Sequence, residues 1–533
     1  MRIAILLLIT ITCGSAVSAQ SWRDEYDKFK EKQNSGKDYR KDYDNFKNKA
    51  YREYKQFRDS AFNQYLEFVK KEWKEFKGEP ARVLPKEEEV VPVFSNDADK
   101  ETASWFSNLF KRKGKSAKKG KIKTVQGKGE EIKLKEVLTA EQKHEQIHPE
   151  KEIYQCPEEK HEPNKFYDFR LFGTEYRVRI GDNCRPVIQQ LTPESVAKSM
   201  EIFKQKQFDD LLYDCQQERK KHNLSDWAYY QMLQSLVDHY YGKGTNEASL
   251  VLAFIYAQSG YKIRMAYDNN QHLYMLVACR HYIFGKDYTY DGAETFYLLD
   301  GRKLGNTIHL CPAYFAKESS MSLQMSAVQE FSRNPTPRRT ITSLKNRDFS
   351  FTIVSNKNYM EFYNVYPRST IGNNFMTQWV MYAETPMEQG IREQLYPPMR
   401  EKLKGLSQGE AVQQLLWWVQ TGLVYEFDEE LWGTDRPFFG EESLFYPYCD
   451  CEDRAILFSH LVRDLLHLDV ALVYYPGHLA AAVAFTENVD GNYYKCDGRN
   501  FTVCDPTIVP GRVGEVMELV ANEPATLMLL RRD

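Results

Sequence analysis

What the 533-residue chain lacks narrows its class first. Beyond residue 19 it has no run of eighteen apolar residues, so no ordinary membrane-spanning helix and no integral membrane segment is expected there. It also lacks an excess of either charge. With 72 Lys+Arg against 75 Asp+Glu, the formal net charge is −3. That balance offers no electrostatic case for nucleic acid, and none is expected as a partner. Cysteine is scarce, at ten residues. Aromatics are plentiful, with 35 Tyr and 30 Phe.

Arg2, the apolar run Ile3 to Ile11 and the small residues Val17-Ser18-Ala19 read as a signal peptide over residues 1–19. Export to the periplasm or the medium is the expectation. Cys13 follows Thr10-Ile11-Thr12, a poor lipobox, so a lipoprotein is the lesser alternative. Removal of the leader leaves nine cysteines. An odd number cannot pair completely within one chain, and one thiol held back as a nucleophile accounts for the parity. The other eight are available for disulfides, in a pairing the sequence does not reveal.

Residues 20–80 form a separate amphipathic helical region. Tyr43, Tyr54, Tyr65 and Phe76 recur every eleven residues, with parallel series at Phe46, Phe57, Phe68 and at Tyr51, Phe62, Trp73. Eleven residues is close to three helical turns, so the rings share one face. Packing on another helix, on the body of the protein or on a second copy is expected, which makes helix-mediated docking or self-association a partner reading. Residues 81–150 read as a flexible charged linker, acidic at Glu87 to Glu89 and basic from Lys111 to Lys123.

From about residue 150 the composition becomes globular, and two stretches there resemble each other. Gly244-Thr-Asn246-Glu-Ala248 leads to His272 and Asp300; Cys451-Glu-Asp453-Arg-Ala455 leads to His478 and Asp505. The intervals are 28 and 28 residues in the first stretch, 27 and 27 in the second. Leu224-Ser225 and Leu406-Ser407 open an apolar helix upstream of each. An internal duplication follows, with residues 151–335 and 401–533 as its copies and a β-rich connecting segment over 336–400. Tyr167 to Ile180, Phe349 to Ile353 and Phe375 to Ala383 read as accessory strands.

Cys451 falls in the first turn of a helix whose Ala455, Phe458, Leu461, Val462 and Leu465 face a core. The helix N-terminus is expected to favour its thiolate and to offer N–H groups to an oxyanion. His478 opens an apolar strand, and Asp505 ends a neighbouring one, where a carboxylate can hold the imidazole. Glu452 and Asp453 suit the helix dipole. Zinc is the rival use of Cys449, Cys451 and His478. The two cysteines are too close in sequence for the usual spacing, so no metal and no cofactor is expected. Tyr425, Trp432, Tyr446 and Tyr448 are candidate cleft residues by proximity.

The stretches Asp450-Cys451-Glu452-Asp453-Arg454-Ala455, Pro476-Gly477-His478-Leu479 and Cys504-Asp505-Pro506-Thr507 resemble the bacterial transglutaminase-like superfamily. The resemblance covers residues 405–515 well and 220–305 weakly. It implies an α+β, papain-like core, with a Cys-bearing helix on an antiparallel sheet. Cys451 is then the nucleophile, His478 the general base and acid, and Asp505 the orienting residue. The implied function is cysteine acyl transfer on a protein or peptide substrate, by a peptidase or amidase or by a cross-linking transglutaminase. Gly244, His272 and Asp300 are the counterparts in a degenerate copy. A protein-binding or scaffold role that reuses such domains is the alternative.

Overall fold

A computed structural model describes residues 124–125, 131–138 and 165–531, apart from short interruptions. These belong to one of two compact units, Pro80–Trp105 with Thr124–Asp533. The leader, the aromatic stripe of residues 20–80 and the basic run lie outside the described residues.

The architecture is mixed α+β. Its first half contains α1 (Asp226–Tyr241), α2 (Asn246–Gln258), β1 (Ile263–Asp268), β2 (Leu273–Ala278), β3 (Tyr288–Asp291), β4 (Glu294–Leu298) and β5 (Ile308–Leu310). Its second half contains α3 (Gln408–Gly422), α4 (Cys451–Leu466), β6 (Asp469–Tyr475), β7 (His478–Ala484), β8 (Tyr493–Cys496), β9 (Arg499–Cys504) and β10 (Ala525–Leu529). The first sheet runs β3-β4-β2-β1-β5. The second runs β8-β9-β7-β6-β10, and every one of these neighbours is antiparallel in both sheets. Each half thus presents helix, helix and five strands in one order.

Local chemistry sets the helix ends. The Ser225 hydroxyl accepts from the Ala228 N–H, and Ser407 closes a capping box with Glu410, so each serine satisfies an otherwise orphaned donor. Helix α4 stops where His467 turns left-handed at φ 55°. Strand β7 is buried along its whole length. Ala480, Ala482 and Ala484 face a core with Tyr494, Phe501, Val503 and Leu527. The intervening residues point the other way, toward α4 (strand period two).

Four expectations are corrected here. The stretch 81–150 is not linker throughout. Leu134–Leu138 adds a parallel strand to the outer side of β10, and Thr124–Val125 pairs with Val516–Met517. Ile132 and Leu134 pack on the same core as β7. The segment 336–400 is mainly helical rather than β-rich. It holds one hairpin, Arg339–Thr342 with Ser350–Ile353, and helices Lys357–Asn364, Met376–Glu384 and Gln389–Leu403. Trp379, Met381 and Tyr382 are buried on the helix that replaces the strand expected at Phe375 to Ala383. Tyr167 to Ile180 is a hairpin turning at Phe172-Gly173, not one strand.

The helical segment carries a pH dependence. Glu388 and Glu441 lie together: the Glu388 N–H and the Tyr363 hydroxyl both donate to Glu441 Oε1, at 3.1 and 2.6 Å. Burial, then the Glu441 charge, pushes Glu388 up to about 8; burial pushes Glu441 up to about 7. The folded chain therefore keeps protons that the unfolded chain releases near pH 4.5. Stability from this pair is full below that value and is lost as pH rises through 7 to 8. Glu388→Gln should flatten the fall in unfolding free energy between pH 6 and 9, by an amount on the order of 2 kcal/mol in chemical denaturation. An unchanged slope would remove Glu388 from the account.

Candidate active site

The second half assembles its three expected residues at one end of β7. His478 Nε2 lies 2.7 Å from Asp505 Oδ2, and both side chains are buried. The other carboxylate oxygen of Asp505 accepts the Thr507 N–H at 2.9 Å. Asp505 is thereby fixed at both oxygens, and His478 Nδ1 is the ring nitrogen directed elsewhere. Tyr475 stacks on the imidazole at 6.1 Å and 15°, and its hydroxyl accepts from Tyr494 at 2.8 Å.

Cys451 is the first residue of α4, half-buried, with Asp450 as N-cap. The amide of Leu479, next to His478, points its N–H at the sulfur. No hydrogen bond joins Cys451 to His478 among the described residues. The thiol instead donates to Glu452 Oε2 at 3.0 Å. The expected lowering of this thiol's pKa is overturned. Burial, then the Glu452 charge and its hydrogen bond, push it well above its ordinary value, and the Leu479 amide offsets only part. Glu452, read from sequence as a helix-dipole residue, is thus in contact with the nucleophile position.

Two residues outside the expected set position Asp505. Arg454 is fully buried. Its guanidinium donates to the carbonyls of Gln420 at 3.2 Å, Leu423 at 2.9 Å and Pro506 at 3.4 Å, and lies over the Tyr425 ring at 5.1 Å. The Gln420 amide donates to the Asp505 carbonyl at 2.9 Å. Helices α3 and α4 thus hold the Asp505-Pro506 turn. A charged residue on the buried face of a helix was the available sequence signal.

The aromatic expectations divide. Tyr425 is buried beneath Arg454 rather than lining a cleft. Tyr446 is buried against Trp432 at 5.0 Å, with the Arg436 guanidinium 5.4 Å from its ring. Trp432 and Tyr448 are half-buried. Cys449 is buried, its sulfur 3.8 Å from the Val424 carbonyl and in contact with the Arg454 side chain. The eight described cysteines are all free thiols.

The first half keeps the frame and rebuilds the centre. Leu276 pairs with Leu298, and Ala481 with Cys504, so Asp300 and Asp505 fall two positions along from His272 and His478 in each sheet. Yet His272 turns outward, 56% exposed, to Asp268 at 3.1 Å. Asp300 pairs with Arg302, whose guanidinium also donates to the carbonyls of Gly244 and Leu273 and to the Ser249 hydroxyl. Gly244 is not the counterpart of Cys451 in space. It precedes the helix at φ 73°, whereas Asn246 begins α2 and accepts the Leu273 N–H at 2.8 Å. Leu479 makes the corresponding contact to Cys451. The cleft here is lined by Tyr230, Asp238, Gly244, Ser249, Asp300 and Arg302. Arg302→Met leaves Asp300 Oδ2 and two carbonyls without their guanidinium donor, and should cost about 2–4 kcal/mol in chemical denaturation. Alkylation of Cys451 should be unchanged in the same variant.

No family model, curated protein or solved structure matches this chain.

Proposed function

We propose that the second half is a papain-like, transglutaminase-related cysteine acyl-transfer domain, acting most simply as an exported peptidase or amidase on protein or peptide substrates. The buried His478–Asp505 contact of 2.7 Å, beside a helix that starts with Cys451, carries this reading. Asp505 takes Nε2 and so selects the tautomer and orientation of the ring. Nδ1 then serves the sulfur. The thiol gives its proton to His478, and the sulfur attacks an amide carbonyl, forming a C–S bond. The Leu479 N–H and the first amides of α4 support the oxyanion. As the C–N bond breaks, His478 returns the proton to the leaving amine. Water, activated by the same imidazole, hydrolyses the thioester and restores the thiol. An amine in place of water gives cross-linking instead.

The thiol's bond to Glu452 favours a second reading, a binding protein built on the same frame. Alkylation of the full chain separates the two. Fast labelling of Cys451 near neutral pH that is lost in His478→Ala supports acyl transfer. A rate no higher than that of a free peptide thiol, in folded protein, points to the binding role.

A further inference from the structure

The two five-stranded sheets correspond in register but differ at their edges. On one side, Tyr493 lies opposite Thr502 and Tyr288 opposite Tyr297, each the non-turn end of a hairpin with a two-residue loop. The Val503 N–H donates to the Asn492 carbonyl at 2.9 Å, and the Leu298 N–H to the Asp287 carbonyl at 2.8 Å, so β3 matches β8 with Tyr288 in the place of Tyr493. On the other side, Val470 pairs with Val483 and Ile263 with Val277, which aligns Val473 with Ala266. Leu527 lies opposite Val473 and Leu310 opposite Ala266, so β5 matches β10.

In the second half one segment reaches both edges. The Ile132 N–H donates to the Tyr493 carbonyl at 2.8 Å, and Leu134–Leu138 pairs with β10. Ile132 and Leu134 pack on the core within. In the first half no strand pairs with the outer side of β3 or β5 among the described residues. Hydrogen-bonded and open pairs alternate along an antiparallel ladder. Since Asp287 bonds Leu298 and Cys311 bonds Met265, the backbone groups of Tyr288, Tyr290, Ile308 and Leu310 turn outward. Leu310 is 36% exposed, whereas its counterpart Leu527 is 0% exposed beneath the added strand. The edges read Tyr-Thr-Tyr-Asp and Ile-His-Leu, with neither the Lys nor the Pro that commonly guards an open edge.

We infer that the first sheet binds an extended segment of a partner polypeptide by strand addition at β5 and β3, in the place that residues 131–138 hold in the second sheet. The bound strand runs parallel to β5, as Leu134–Leu138 runs parallel to β10. Its backbone takes up the outward groups of Ile308 and Leu310, and its leading end meets the Tyr288 carbonyl as Ile132 meets that of Tyr493. Alternate side chains turn inward. The occupant is therefore apolar at every second residue, like Ile132 and Leu134 with Lys133 between them. Leu304 and Ile308, the half-buried members of the first core, receive those residues. The second sheet shows the fit with a strand of this kind in place. This inference does not rest on the acyl-transfer reading.

The test titrates the full chain with a labelled synthetic peptide of residues 130–139, Glu-Glu-Ile-Lys-Leu-Lys-Glu-Val-Leu-Thr. The chain's own copy already fills the second sheet, so the added peptide finds the first. Saturable binding of a single peptide per chain is expected, with hydrogen exchange slowed at the amides of Tyr288, Tyr290, Ile308 and Leu310. Leu310→Pro removes an outward N–H and leaves the β1–β5 ladder intact. Leu310→Lys puts a guarding charge on the edge. Each should weaken binding by about tenfold, and both should melt like the wild type. A peptide with proline at alternate positions should not bind. No saturable binding up to about 1 mM overturns the inference. So does unchanged binding in both folded variants, or slowed exchange at Ala525–Leu529 in place of β3 and β5. A dimer of the chain that Leu310→Pro dissolves, without peptide binding, overturns it in favour of a second copy on the same edge.

Discussion

His478→Ala should lower turnover of an amide or ester reporter, and alkylation of Cys451 near neutral pH, by about two to four orders of magnitude. The imidazole is the base for a thiol that its surroundings otherwise hold protonated, through burial and Glu452. It is also the acid for the leaving amine. The side chain lies between the Tyr475 ring and Asp505 in a buried setting, so alanine removes chemistry and leaves a small cavity. Asp505→Asn provides the matched measurement. It keeps the shape but can present an N–H to the ring nitrogen now served by an acceptor. Turnover should then fall with little change in melting temperature. If Cys451 in a folded His478→Ala protein alkylates as fast as in the wild type, His478 is not the base.

The second large effect is on stability. Arg454→Met should destabilise the chain by about 3–5 kcal/mol in chemical denaturation, because it breaks a buried charged network while leaving its acceptors in place. Three carbonyls, of Gln420, Leu423 and Pro506, lose their guanidinium donor, and no water-facing route is open to a fully buried residue. Arg454→Lys keeps the charge but not the fork that spans α3 and the Asp505-Pro506 turn, so an intermediate loss is expected. The turn should shift in both variants. A kcat lowered in the lysine variant, at a temperature where it is fully folded, would mark Arg454 as positioning Asp505. A drop below 1 kcal/mol in the methionine variant would show that the carbonyls find other partners.

Much of the second half was legible because local signals and long-range packing agree there. Ser407 caps its helix, Pro476-Gly477 turns the chain, and the unbroken apolar run after His478 can only be an interior strand. The near-equal spacings of the two halves anticipated the shared strand order. They misplaced the equivalent of Cys451, however. Counting from His272 selects Gly244, while the backbone places Asn246 at the helix start, because the turn before α2 differs from that before α4. Phe375 to Ala383 read as alternating because Trp379, Met381 and Tyr382 are buried on a helix with two faces in contact; periodicity cannot resolve so short a run. Asp428 and Asp435 escaped notice because they lie well before the cysteine in the chain and meet Glu452, beside it, only in three dimensions. The strand Leu134–Leu138 was hidden by its charged surroundings, since backbone pairing with β10 leaves little mark on composition.

That last strand bears on how the protein is made. Its partner, Ala525–Leu529, is nearly four hundred residues further on and is made long after it. Until then, the segment around Leu134 can join the sheet only at Tyr493, whose carbonyl accepts the Ile132 N–H at 2.8 Å, and β6 lacks its second neighbour. The second sheet is therefore finished only by the meeting of two distant stretches of chain, whereas the first sheet is encoded within Ile263 to Leu310 and can form earlier. A deletion meant to strip the N-terminal region for functional work should stop short of Thr124. One that runs to residue 150 removes a strand from the domain under study and leaves β10 as a bare edge, inviting aggregation that could be mistaken for loss of a regulatory arm.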